Sequence, residues 1–283
     1  MTKSSDLGRT QMQPWLETLG IVILAFLGLA LGLGTSRLRK PYWIFGYALP
    51  LLPVVMVGLV RNINRLRFVL PFSLISAGRN EFAISAFAVP MLFGTLIPRL
   101  PKKREKILTS VLLAVASVYF FIFPFLVPAL IRNRLENLQT VMLNDGICLQ
   151  STNYTCGPAA AVTALHQLGI EAKEGKLAVL AHSTPQLGTP DDLLAQAIEK
   201  RYGAEGVRCT YRYFSSIAQL KETCPTIAVV KFAFFVDHYV TVLEVSDDLV
   251  TIADPLAGEE KLNYEEFAKK WRFIGIVVER NVK

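Results

Sequence analysis

Hydrophobic positions run in long unbroken blocks through the first part of this chain and in short alternating stretches after it, which predicts two kinds of structure. Four blocks stand out: Leu16–Gly34, Tyr42–Val60, Phe82–Ile97 and Ile107–Ile131. The first, second and fourth approach or exceed the roughly 20 residues that a helix needs to cross about 30 Å of hydrocarbon. The third is shorter and contains Pro90. A further run, Phe68–Gly78, is too short to span and reads as interfacial or re-entrant. The first block follows an extended N-terminal stretch and is succeeded at once by others, so it reads as a retained span rather than a signal peptide.

Beyond residue 140 the pattern changes to mixed helix and strand. A helix is predicted from Cys156, because Pro158 suits an early helical position and Ala159–Leu168 are strong helix formers. A short helix near Gly175–Ala181 and a loop through Gly188 follow. Pro190 and Asp191 then open a helix to Tyr202. Strands are expected at Val207–Tyr213, Thr226–Phe235, His238–Val245 and Leu249–Ala253, then a helix at Tyr264–Lys270 and a last strand at Phe273–Val278. The reading is an all-α transmembrane region, 1–140, joined to an α+β domain, 141–283, of a size that supports its own core. Trp271, Phe232, Phe234 and Phe235 read as core, the three phenylalanines close to the site described below. Ser246–Asp248 reads as a hairpin turn.

Composition supports the membrane half, with 52% hydrophobic residues and a mean hydropathy of +0.38. Of 30 Lys and Arg, 16 precede Val141, against 5 of 23 acidic residues, so a +11 half precedes a −4 half and together they make the net +7. The basic excess belongs to loops flanking membrane segments, which removes nucleic acid as an expected partner. Arg37, Arg39 and Lys40 in the first loop share a side with Arg99, Lys102, Lys103, Arg104 and Lys106 in the third. By the positive-inside rule that side is cytoplasmic, placing the C-terminal domain outside the cell. Arg61, Arg65, Arg67 and Arg79 in the middle loop oppose this orientation.

The chemistry concentrates around Cys156. Thiolate is the nucleophilic form of cysteine, and a helix N-terminus and a nearby imidazolium both favour it. Three histidines are available as base. His166 lies ten residues along the same helix, about 15 Å away, and reads as structural or exposed. His182 sits where a helix runs into a loop. His238 starts an alternating, β-branched strand, DHYVTVLEV, that holds an imidazole rigidly. Asp254, in VTIADP, ends the next strand, and a hairpin would bring it beside His238 to accept the Nδ1 proton and orient the ring. Gln150 supplies an amide donor for an oxyanion. Singly, each has a bland reading: Asp-Pro after a strand is usually a turn, and a lone Gln is usually solvated.

The segments CLQSTNYTCGPAAAVTALHQLG, DHYVTVLEV and TIADPLAGEEKLNYEEFAKKWRFIGIVVE together resemble the peptidase C39-like family, papain-fold domains of the bacteriocin-processing type. The resemblance covers about half the chain. It implies Cys156 as nucleophile, His238 as general base and acid, Asp254 as orienter and Gln150 as oxyanion donor. It also implies a cysteine peptidase acting on a peptide or protein substrate through a thioester. Two alternatives stand beside this: a noncatalytic peptide-binding module working with a separate transporter, and a thioester acyltransferase. No GxxxxGK[ST] phosphate loop occurs, so any coupling to ATP-driven export calls for a separate ABC-type transporter. No cofactor is expected, and no metal, since CxxC pairs and zinc-type His/Cys spacing do not occur. Cys148, Cys209 and Cys224 are odd in number, leaving free thiols or one disulfide open.

Overall fold

The computed structural model describes residues 3–233 and 236–281, with side chains from Pro14 onward. Phe234 and Phe235 lie outside the described residues. The chain divides into two compact units, 1–130 and 131–283.

The first unit is helical: α1 (Lys3–Ser36), α2 (Phe45–Asn62), α3 (Phe72–Ser76), α4 (Asn80–Leu96), α5 (Lys103–Ser117) and α6 (Phe123–Leu130). A π-helical turn, Val118–Ile122, joins α5 to α6 into one rod. Four helical segments are long and apolar enough to cross a membrane: Pro14–Ser36, Tyr42–Asn62, Asn80–Arg99 and Lys103–Leu130. The third gains its length from turns at both ends of the apolar block, with Pro90 inside the helix. The Phe68–Gly78 run follows a 3₁₀ turn, Asn64–Phe68, and contains only the short α3.

Close backbone approach holds α1 against α4. A Cβ on Gly28 would lie 2.2 Å from the Phe87 carbonyl, and one on Gly32 2.2 Å from that of Met91. Only hydrogen fits there, as at small-residue contacts between membrane helices, where packing replaces the hydrophobic effect as the driving force. Thr95 ties three helices together: its hydroxyl reaches the carbonyls of Met91 (3.0 Å), Gly32 (3.2 Å) and Gly46 (3.2 Å) and the Thr35 hydroxyl (3.0 Å). At the other end of the bundle the buried Arg79 pairs with Glu17, donates to the Pro124 carbonyl at 2.9 Å and lies over Phe125. A charge so deep in an apolar bundle is tolerable only with such partners.

The second unit comprises α7 (Arg132–Glu136), β1 (Val141–Met142), β2 (Cys148–Leu149), α8 (Cys156–Gln167), α9 (Glu174–Leu180), α10 (Asp191–Tyr202), β3 (Val207–Tyr213), α11 (Ala218–Lys221), β4 (Thr226–Ala233), β5 (Val236–Val245), β6 (Leu249–Asp254), β7 (Gly258–Asn263), α12 (Tyr264–Lys270) and β8 (Trp271–Arg280). Six strands make one antiparallel sheet in the order β3-β8-β4-β5-β6-β7. One apolar core gathers Val240 and Val242 of β5, Val250 and Ile252 of β6, Phe267 of α12 and Trp271 of β8. Tyr239 and Thr241, at alternate positions of β5, turn to the other side, where α8 packs. Asn263 caps α12 by accepting from the Glu266 backbone while Glu266 returns the bond, a reciprocal capping box.

Candidate active site

Cys156 occupies the first position of α8, and the following glycine explains why this end of the helix reaches the sheet. A Cβ on Gly157 would meet Leu194 at 3.1 Å, Thr189 at 3.2 Å and Tyr239 at 3.4 Å. Lower down, Thr241 donates to the Ala160 carbonyl at 2.7 Å and fastens β5 to the helix. Tyr239, buried, donates to the Thr189 carbonyl at 2.7 Å and bonds Asp191, whose other oxygen accepts from Tyr211 at 3.0 Å. The floor beneath the thiol is therefore a fixed polar network rather than a loose apolar one.

The hairpin between β5 and β6 sets the second pair. Ser246 N–H bonds the Leu249 carbonyl at 2.9 Å, and the register pairs Thr241 with Ala253. This places His238 beside Asp254, with Nε2 and Oδ1 at 2.8 Å. The contacting nitrogen differs from the expected one: Asp254 engages Nε2, not Nδ1, which leaves Nδ1 as the ring nitrogen that can face Cys156. The reason is the approach direction, since the carboxylate comes from the neighbouring strand while the thiol lies on the helix. Asp254 also accepts from the Leu256 N–H at 2.8 Å. The turn reading and the orienter geometry are thus satisfied by one side chain.

Burial works against charge on His238, but hydrogen bonds to Asp254 and Cys156 and the negative charge of both more than offset it, raising the imidazole to about 9. For Asp254, burial is opposed by the His238 hydrogen bond, the Leu256 N–H and the charges of His238 and Lys270, and its carboxyl is held below the ordinary range. The pair therefore favours imidazolium beside carboxylate at neutral pH. All four cysteines are free. Burial, followed by nearby glutamates, pushes Cys148 and Cys209 up to about 12 and Cys224 up to about 11. Cys156 is the cysteine whose thiol has an imidazole partner.

Gln150 lies on the opposite approach to α8. Its backbone N–H bonds the carbonyl of Pro255, next to Asp254, at 3.0 Å, and its Nε2 donates to the Thr152 carbonyl at 2.8 Å. The Thr155 hydroxyl closes the intervening turn onto Thr152, and Cys156 follows. Oε1 of Gln150 is buried without a hydrogen-bond partner. Cys156, His238 and Asp254 form one set of side-chain contacts, and Gln150 is tied to it through the Pro255 carbonyl and the turn that leads into Cys156. His166 is exposed in the last turn of α8, and His182 follows α9 with a positive φ of 54°. Two contributors were not foreseen, Tyr239 and Asp191; Phe232 lies near the site as expected, its ring 5.5 Å from that of His238, but it is exposed and not part of the core, because it sits at the end of β4 where the strand leaves the packed sheet. Tyr239 carried a signal, since it follows the candidate base on a strand and points to the helix side.

The domain is thus an α+β fold that sets a helix-borne thiol against a strand-borne imidazole. Residues 145–283 match the model of the peptidase C39 family, and the chain belongs to that family. An uncharacterized protein of Methanothermobacter marburgensis is 33% identical over 144 residues, spanning 51% of this chain and 95% of its own length. A second, from Methanothermobacter thermautotrophicus, is 31% identical over 143 residues, 50% and 94% of the respective chains. Among solved structures, the peptidase domain of Streptococcus ComA, a bifunctional ABC transporter, is similar with a TM-score of 0.42 and 21% identity over 47% of this chain and 96% of that one. A double glycine motif protease from an AMS/PCAT transporter, solved with its leader peptide, has a TM-score of 0.42 and 19% identity, covering 50% of this chain and 93% of that one.

Proposed function

We propose that this chain is a multi-pass membrane-anchored cysteine peptidase in which Cys156 is the nucleophile, His238 the general base and acid, Asp254 the orienter and Gln150 an oxyanion donor. The observation that carries it is the linked set of contacts from Asp254 through His238 to Cys156. The Cys156 sulfur attacks a peptide carbonyl carbon, and the carbonyl electron pair moves onto oxygen, where the Gln150 amide donates. The tetrahedral intermediate collapses as the C–N bond breaks, and the departing amine takes its proton from the His238 imidazolium. A thioester remains. Neutral His238 then removes a proton from water, the hydroxyl adds to the thioester carbon, and the acid leaves as the C–S bond breaks and the thiolate–imidazolium pair is restored. Asp254 holds the ring through Nε2 and stabilises the imidazolium that exists before the first proton transfer and again after the second.

An amine in place of water would make the same thioester an acyl-transfer intermediate, and a noncatalytic module would leave this contact set without a chemical purpose. The partners that follow are a peptide or protein substrate, the lipid bilayer and a separate ABC-type transporter. The eight basic residues of the first and third loops orient the chain with the catalytic domain on the extracytoplasmic face. Cys156→Ala tests the reading. It removes one sulfur from a site otherwise held by the Thr241, Tyr239 and Asp191 contacts, so the domain stays folded by circular dichroism while peptide turnover falls to background. Full turnover in that variant would remove the nucleophile from Cys156.

A further inference from the structure

A second carboxylate near the cluster has no part in the proposed chemistry. Glu174, the first residue of α9, is fully buried. Its Oε1 accepts from the Ser151 backbone N–H at 2.9 Å, and its Oε2 lies 2.5 Å from the Ser151 hydroxyl, which also reaches the Gln139 carbonyl at 2.8 Å. Its own backbone N–H bonds the Thr140 hydroxyl at 3.1 Å. A buried carboxylate is costly to keep, and an apolar side chain would fill the same space more cheaply. Both of its oxygens are committed to the residue that follows Gln150.

Gln150 itself has few restraints. Its backbone N–H is fixed on Pro255 and its amide on Thr152, two residues along the same strand exit. Between those two points the chain is held laterally by Ser151, and Ser151 is held by Glu174. On the other side Cys148 N–H bonds the Thr163 hydroxyl of α8 at 2.9 Å. The 148–152 segment is therefore pinned on one side to the nucleophile's helix and on the other to α9. An oxyanion donor must be fixed to a few tenths of an ångström before the charge develops, because reorganisation during reaction forfeits most of its value.

We propose that Glu174 is a positioning residue that acts through Ser151 to hold the Gln150 amide where the oxyanion forms. This inference rests on the reading of Cys156 and Gln150 given above. It makes a specific demand on the variants. Glutamine at 174 retains the arrangement: its Oε1 accepts the Ser151 N–H, its amide donates to the Ser151 oxygen, and the Ser151 hydroxyl hydrogen turns to the Gln139 carbonyl. Alanine retains none of it.

The test uses the full chain in detergent, a short N-blocked peptide 4-nitrophenyl ester as substrate, and iodoacetamide as a probe of the Cys156–His238 pair, which does not involve Gln150. For Glu174→Ala we expect kcat to fall at least tenfold, with KM and the Cys156 alkylation rate within about twofold of wild type, in keeping with the loss of one oxyanion donor. Glu174→Gln should recover most of kcat. Ser151→Ala, which keeps the backbone N–H bond to Glu174 and loses only the hydroxyl, should lower kcat severalfold and decides the matter if the alanine variant at 174 does not fold. Wild-type kcat in Glu174→Ala, a parallel loss of kcat and alkylation, or no rescue by glutamine would overturn the inference while leaving Cys156 as nucleophile. Full activity in Cys156→Ala would overturn the underlying reading and this inference with it.

Discussion

Asp254→Asn isolates the charge of the orienter from its geometry. The asparagine Oδ1 can still accept from His238 Nε2 and from the Leu256 N–H, so the ring keeps its place while the negative charge is lost. His238 stands at about 9 in the native site, against burial, because of its hydrogen bonds and charges from Asp254 and Cys156. Removing one of the two anions lowers that value toward the ordinary 6.5. A raised imidazole is charged below its pKa and loses its proton as pH rises through about 9, so in the native enzyme the acid that protonates the leaving amine fails only on the alkaline side. At pH 8 a group at about 9 is about 90% protonated and one at about 6.5 only about 3%, which bounds the loss at roughly thirtyfold. At pH 6 both forms are mostly charged, and the variant should keep most of its rate. The assay is the pH dependence of kcat on an internally quenched peptide turned over by the native chain. An alkaline limb that stays near pH 9 in Asp254→Asn, with equal loss at pH 6 and pH 8, would refute the electrostatic role.

Other consequences follow from the packing and the orientation. Gly32→Leu forces a side chain into a carbonyl at 2.2 Å across the α1–α4 contact and should destabilise the helical unit by about 1–3 kcal/mol or more, read as a lower thermal midpoint in detergent with unchanged alkylation of Cys156. A thiol reagent that cannot cross membranes should label Cys156 in intact cells, ahead of Cys148, Cys209 and Cys224, whose thiols burial pushes to about 12, 12 and 11. Labelling that appears only after lysis places the domain in the cytoplasm.

The helices and most strands were legible because their patterns are local. The apolar blocks carry their own length, and DHYVTVLEV and VTIAD alternate as half-buried strands do. β7, Gly258–Asn263, was not legible: as an edge strand with Glu259 and Lys261 exposed and Glu260 between them, it shows charge where the pattern rule looks for apolar residues. The Gly28–Gly32 spacing was a readable sign of close helix packing, but its partner on α4 is set only in three dimensions. At the site, residue types and order singled out Cys156, His238, Asp254 and Gln150 as candidates. The ring nitrogen used by Asp254 depends on which direction each neighbour approaches from, and no spacing encodes that. Glu174 was opaque for the same reason, since its tie to Ser151 joins two segments 23 residues apart.

The central claim is a covalent one and is tested most directly by acid-quenched mass spectrometry of the full chain mixed with a short N-blocked peptide 4-nitrophenyl ester. The account predicts one acyl group per chain within the peptide carrying Cys156, appearing with a burst of nitrophenolate, decaying as product forms, and absent from heat-denatured chain and from Cys156→Ala. An acyl group carried by another residue, or ester turnover undiminished in Cys156→Ala, would contradict it.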